Sequence, residues 1–254
     1  MTDEEQRKTA AAFGPPDLEW LDGDVPRAEG FGDTYFSKAG GLDETRHVFL
    51  SGNGLPERFE GRESFTIAEF GFGTGLNFLA AVQALERVAN PPELTFISFE
   101  LHPMTSEQLR RALAAFPELT DWAEKLTAIW SPQPGWNILQ LGRVRLVLGV
   151  GDARVLIAEL QNVPQTVKQA GFDALQVDAW FLDGFSPAKN PELWDGTLLG
   201  AAANLTAPDG TLATYTSAGW VRRNLQAAGF EIEKVKGYAG KREMVIGQKA
   251  ALRT

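Results

Sequence analysis

The sequence predicts an α/β fold with a mostly parallel sheet, and three features carry that expectation. Apolar runs rich in β-branched and aromatic residues alternate with stretches whose apolar residues return at helical spacing. This alternation builds parallel strands joined by right-handed crossovers. Glycines and acids stand at the ends of successive runs, which is the edge where an open α/β sheet binds its ligands. The length, 254 residues, suits one large α/β domain.

In chain order, residues 1–16 are polar and end in Gly14-Pro15-Pro16, which reads as a frayed or capping arm. Residues 17–41 are rich in Gly, Asp and aromatics, with short strands expected at 18–20 and 34–37. A turn at Gly40-Gly41 leads into a helix that runs to Leu50. This prelude is too small to bury a core of its own. Residues 1–60 therefore read as an N-terminal extension packing over the site, and residues 61–254 as the binding domain.

The first core strand is expected at 65–70, with a helix from Leu76 that Pro91-Pro92 ends. The second strand, 94–99, ends in Glu100. Helices follow at 105–116 and 117–130, a short element at 136–141 and the third strand at 143–148. Asp152-Ala153 opens another helix. The fourth strand, 173–182, runs into Asp183-Gly184. A helix at 190–203, a strand at 210–216, a helix at 220–228 and strands at 230–235 and 244–246 complete seven strands.

Composition excludes several classes. No run nears the roughly 20 apolar residues of a membrane span. The charged start has no signal-peptide core. There is no cysteine and only His47 and His102, so thiolate and histidine metal sites are not expected. A cytoplasmic enzyme without a structural metal or a membrane partner fits. The net charge of −9 does not favour phosphate binding over the whole surface. Bases do gather late in the chain, at Arg222, Arg223, Lys234, Lys236, Lys241 and Arg242, so a local basic patch is open to it.

The densest signal is Phe70-Gly71-Phe72-Gly73-Thr74-Gly75-Leu76-Asn77-Phe78. Glycine at every second position lets the backbone turn and approach a ligand, and the helix that follows offers free N–H groups. A dinucleotide fingerprint would need glycine at position 76, where Leu76 stands. Glu69 precedes the loop in a strand otherwise buried on both faces. Glu100 at the end of the next strand reads as an acceptor for ribose hydroxyls, or as a surface acid near a helix start. Asp152 reads equally as a helix cap or as an acceptor for an adenine amino group. Asp178 and Asp183 lie in or at the end of an apolar strand, where a charge needs a partner or a task.

Acid-x-Gly-x-Gly-x-Gly resembles the first motif of class I S-adenosylmethionine (SAM) methyltransferases. Five stretches, that loop among them, are similar to the methyltransferase part of MnmC-type enzymes: residues 32–37, 44–49, 70–78, 178–191 and 213–219. Gly229-Phe230 and Gly240-Lys241-Arg242-Glu243-Met244 match as well. The resemblance implies a Rossmann-like methyltransferase fold, a mostly parallel seven-stranded sheet with an antiparallel last strand. It implies SAM as cofactor, held by Glu69, Gly71, Phe72, Gly73, Thr74, Gly75, Asn77, Glu100, Asp152, Ala153 and Asp183. It implies methyl transfer to the amine of 5-aminomethyl-2-thiouridine at the tRNA wobble position, giving 5-methylaminomethyl-2-thiouridine. In many such enzymes an FAD-dependent oxidase part makes the amine. Here no second dinucleotide fingerprint follows before Thr254, so the expectation is a stand-alone methyltransferase or a piece of a longer protein. The oxidase would then be a separate partner or an absent C-terminal domain.

Within this reading Asp183 is the candidate catalytic residue, accepting a hydrogen bond from the substrate amine. Tyr35, Phe185, Pro187 and Tyr215 are candidate walls around the uridine; core or lid packing is the equal alternative. Lys189, Arg222, Arg223, Lys241 and Arg242 are candidate phosphate contacts. A small-molecule methyltransferase would share every cofactor residue and differ only at the acceptor.

Overall fold

The computed structural model describes residues 14–37, 40–169, 171 and 175–250. The expected arm at the start of the chain falls mostly outside these residues. Strands β1 (Leu18–Leu21), β2 (Val25–Ala28) and β3 (Asp33–Thr34) form a three-stranded antiparallel sheet. Strand β2 has no counterpart in the sequence expectation, because Pro26 inside a four-residue run argues against a strand. It is tolerated here in a very short strand. The expected strand at 34–37 is reduced to Asp33–Thr34. Helix α1 (Gly41–Thr45) continues as a wider helical turn over Arg46–Leu50.

The main sheet begins with β4 (Ser64–Phe70), followed by α2 (Leu76–Leu85) and β5 (Glu93–Glu100). Helices α3 (Ser106–Leu113) and α4 (Thr120–Ile129) lead to the hairpin β6 (Gly135–Leu141) and β7 (Val144–Val150). Then come α5 (Ala153–Leu160), α6 (Gln165–Gln169) and β8 (Val177–Phe181). The chain continues with α7 (Gly196–Leu205), β9 (Thr206–Thr214) and α8 (Gly219–Ala227), and ends in β10 (Phe230–Lys236) and β11 (Glu243–Lys249).

The strand order is β10-β11-β9-β8-β4-β5-β7-β6. The centre is parallel: β4 pairs with β5 and β8, β5 with β7, and β8 with β9. Strand β11 inserts antiparallel between β9 and β10, which is the expected antiparallel closing strand. The sheet has eight strands rather than seven, because β6 pairs antiparallel with β7 from Gly135↔Val150 to Leu141↔Val144. Strand β11 is also longer than expected. Gly247 and Gln248 carry no apolar signal, yet the backbone keeps pairing on both sides.

Side chains alternate across the sheet, as strand geometry requires. Phe65, Ile67, Phe96 and Phe181 pack on one face, and Ala68, Phe70, Phe99 and Trp180 on the other. The N-terminal segment shares the first of these cores through Phe49, Leu50, Leu55 and Phe59. Phe49 stacks on Phe181 with ring centroids 5.5 Å apart. The prelude is thus fastened over the sheet from Phe65 at the start of β4 to Phe181 at the end of β8.

Candidate active site

Beyond Phe70 the chain turns through Gly71, Gly73 and Gly75, whose φ angles are +80°, +54° and +73°. Only glycine adopts such angles without strain. The loop is pinned to β5, since the N–H groups of Gly71 and Phe72 both donate to the Phe99 carbonyl. Gly73 N–H donates to Glu100 Oε2 at 2.8 Å, and His102 N–H to Oε1 at 2.9 Å. Two backbone donors therefore hold the Glu100 carboxylate at the end of β5 with lone pairs to spare.

A cavity of about 1340 Å³ opens above this edge. Gly71, Phe72, Gly73, Thr74, Asn77, Glu100, Asp152, Ala153 and Asp183 line one part of it. Phe185, Pro187, Tyr215, Lys241 and Arg242 line another, and Asp33, Tyr35, Glu44 and Thr45 close it from the N-terminal segment. Acids from the ends of β5 and β8 thus share one cavity with the glycine loop. The volume exceeds the ~300–1,000 Å³ of a single small-ligand site, which leaves room for a donor and an acceptor together.

Five expected site residues stand elsewhere. Glu69 is fully buried below the cavity, accepting from Ser98 Oγ at 2.8 Å and Asn77 Nδ2 at 3.2 Å. Burial pushes its carboxyl well above the usual range, with the Asp183 charge adding to the shift. It supports Asn77 instead of lining the cavity. Gly75 caps α2 from beneath, where a Cβ would meet the Phe72 ring at 2.9 Å. Lys189 donates to the Gly32 carbonyl at 2.5 Å and lies 3.3 Å from Asp33, so its charge ties the β8 loop to the prelude. Arg222 and Arg223 stand on α8, outside the cavity lining. Phe72 lines the cavity, but the residue is only 3% exposed and its ring stacks on Trp130 at 4.8 Å.

Asp183 is the most chemically distinctive group. Its Oδ2 accepts from Asn77 Nδ2 at 2.8 Å, yet burial pushes its carboxyl up to about 6. Asp178 lies at the other end of β8, accepting from the Thr66 N–H at 2.8 Å near Arg62, and is a structural partner. Asp152 caps α5 through the Arg154 N–H and also pairs with the Arg154 guanidinium, while still reaching the cavity.

The aromatic residues are partly committed to one another. Phe185 stacks on Phe31 at 4.6 Å and meets Tyr35 edge-on at 5.1 Å. Tyr215 donates to the Gly184 carbonyl at 2.9 Å. Burial and nearby acids raise both tyrosine phenols, so they stay protonated. Lys241 reaches across the mouth to Glu44 at 2.6 Å and sits 4.9 Å above the Tyr215 ring. Sequence reading assigned no role to Glu44 or Thr45. Their only signal was a place in a short Glu-Thr-Arg-His stretch.

A mostly parallel sheet with an antiparallel strand beside its edge, and a glycine loop after its central strand, is the class I methyltransferase fold. The chain belongs to the family described as S-adenosyl-L-methionine-dependent methyltransferase, which matches residues 117–250, more than half of its length. S-adenosyl-L-methionine is its cofactor. The chain is 49% identical over 242 residues to the tRNA 5-methylaminomethyl-2-thiouridine biosynthesis bifunctional protein MnmC of Aeromonas hydrophila, spanning 92% of this chain and 35% of that protein. The protein of that name from Pseudomonas aeruginosa is 48% identical over the same shares. The chain therefore spans about a third of the curated relatives it matches. Among solved structures, MNMC2 from Aquifex aeolicus aligns with a TM-score of 0.71 at 24% identity, over 99% of this chain and 79% of that one. A spermidine synthase aligns at 0.51 with 11% identity, over 92% and 72%. Both likenesses speak to the fold. Among the described residues no helix is long and apolar enough to cross a membrane.

Proposed function

We propose that this chain transfers a methyl group to the amine of 5-aminomethyl-2-thiouridine at the wobble position of tRNA, giving 5-methylaminomethyl-2-thiouridine. The observation that carries the reading is Asp183, an acid raised to about 6 by burial, facing the same cavity as the glycine loop and Glu100. The relatives' printed names supply the substrate class.

The donor set suits the cofactor. Backbone from Gly71 to Thr74 would hold its amino-acid end, with the Asn77 amide tied behind that loop to Thr45, Glu69 and Asp183, and Glu100 would hold its ribose hydroxyls. Asp152 and Ala153 lie where the adenine would rest. When bound, it supplies an electrophilic methyl group on a sulfonium. The protein's task is to present the acceptor, since alignment alone can be worth about 7–11 kcal/mol. Asp183 accepts an N–H of the amine, turns the lone pair toward the methyl group and takes up positive charge as the N–C bond forms. Tyr35, Phe185, Pro187 and Tyr215 wall the base. Lys241, Arg242, Arg222 and Arg223 meet phosphates. Lys189 acts instead as a tie within the protein.

Residues 1–60 serve as an extension that completes the site, and residues 61–254 as the methyltransferase domain. The amine comes from an FAD-dependent oxidase, as a separate partner or a further domain. The test is mass spectrometry of tRNA nucleosides before and after treatment with enzyme and cofactor. Conversion of 5-aminomethyl-2-thiouridine is expected with wild type. Wild-type rate in Asp183→Ala, with cofactor binding intact, would remove the role given to Asp183. Methylation of a metabolite pool but not of tRNA would replace the substrate.

A further inference from the structure

Thr45 is buried, lies on the N-terminal segment and lines the cavity. Its Oγ1 donates to Asn77 Oδ1 at 2.9 Å. That contact decides which way the Asn77 amide faces. With the oxygen turned to Thr45, the two Nδ2 hydrogens point at two acids, Glu69 Oε2 at 3.2 Å and Asp183 Oδ2 at 2.8 Å. The flipped amide would set its oxygen against both carboxyl groups and leave them without these donors. A side-chain amide offers one acceptor and two donors, and this pocket uses all three.

We propose that Thr45 is a positioning residue for methyl transfer, holding the Asp183 carboxyl in place through the Asn77 amide. The inference rests on the role given to Asp183 above. It explains why a segment outside the methyltransferase sheet reaches the reacting edge: α1 delivers one hydroxyl beneath the acceptor. A hydrogen bond to a carboxylate favours its charged form, so losing the Thr45 contact loosens the amide and makes Asp183 harder to ionise. The other groups bearing on Asp183 are the Gly184 N–H beside it, Glu69 from β4, Glu44 from α1, Tyr215 after β9 and Lys241 from the β10–β11 loop. All remain in place when only Thr45 changes.

The experiment is a carboxyl titration by NMR on this 254-residue chain labelled at aspartate, with the Asp183 signal assigned by its loss in Asp183→Asn. Thr45→Val keeps the shape and removes the hydroxyl, and Thr45→Ser restores it. The Asp183 midpoint should rise by about one pH unit in Thr45→Val and stay at the wild-type position in Thr45→Ser. The acid limb of kcat should move with it, with KM for S-adenosyl-L-methionine within about twofold. An unmoved midpoint in folded Thr45→Val overturns the inference. Should Thr45→Val not fold, the wild-type Asn77 side-chain amide protons decide the matter. Slow exchange with solvent supports a held amide, and rapid exchange overturns it. Neither the carboxyl titration nor the amide exchange uses an acceptor, so a wild type that ignores tRNA would sink the substrate reading alone.

Discussion

The ring of Tyr35 lies 3.0 Å from where a Cβ on Gly73 would stand. The N-terminal segment thus closes down on the glycine loop until only a hydrogen fits between them. Gly73→Ala would have to push the ring away while holding a φ of +54°, which costs a residue with a side chain about 1–2 kcal/mol. S-adenosyl-L-methionine affinity should fall by ~10-fold or more in calorimetry, with the circular dichroism of the native fold retained. Wild-type affinity would take this loop out of the cofactor site.

Asp183 gives activity and stability opposite pH dependences. Its carboxyl is raised from about 3.8 to about 6 by burial. Transfer should therefore fall as pH drops through about 6 and the acceptor of the amine proton becomes neutral. For stability the sign reverses. Between these two values the native state holds a proton that the unfolded state has released, so this group's contribution falls as pH rises through that window. Asp183→Asn should be more stable than wild type at pH 8, by at most ~3 kcal/mol. The gain should vanish below pH 4, while transfer is lost throughout. Denaturant melts at pH 4, 6 and 8 would show it. A variant less stable at pH 8 would mean the charged carboxylate is not strained in the fold.

Phe72 separates packing from binding. Its ring stacks on Trp130 and the residue is nearly inaccessible, yet it borders the cavity. Phe72→Ala should cost about 3–5 kcal/mol in denaturant melts. Phe72→Leu should lose far less stability and keep cofactor affinity within a few-fold. A large affinity loss in a well-folded Phe72→Leu would show that the ring itself contacts the cofactor.

Arg222 and Arg223 lie one turn into α8, which starts at Gly219 beside Ser217 and Ala218 in the cavity wall. Reversing both to Glu should weaken tRNA binding in filter assays. The slope of log affinity against log salt should shrink by about one to two. Cofactor affinity should not change. An unchanged salt slope would place the RNA elsewhere on the surface.

The layout of the sheet is readable from local pattern. Strands β4, β5, β7 and β8 announce themselves by apolar runs, and the glycine loop by its spacing. Strands β2 and β6 do not, because Pro26 breaks one pattern and Asn137 and Gln140 interrupt the other. Glu100, Asp152 and Asp183 can be placed at one edge because each ends, or directly follows, a strand. The acid-x-Gly-x-Gly-x-Gly resemblance puts Glu69 at the ligand, and residue type puts Lys189 at the phosphates. The structure gives them partners within the protein, Ser98 and Asn77 for one, Gly32 and Asp33 for the other.

By itself the sequence determined the alternation of strand and helix, the loop of glycines and the acids beside it, since periodicity and φ are properties of neighbours along the chain. Only the tertiary structure decided how those acids behave. Asn77 meets Asp183 across 106 positions and Thr45 across 32. Burial, which moves the Asp183 carboxyl, depends on a segment folded over from the other end of the chain. Desolvation and hydrogen-bond direction are set by what is near in space, and no local pattern encodes that.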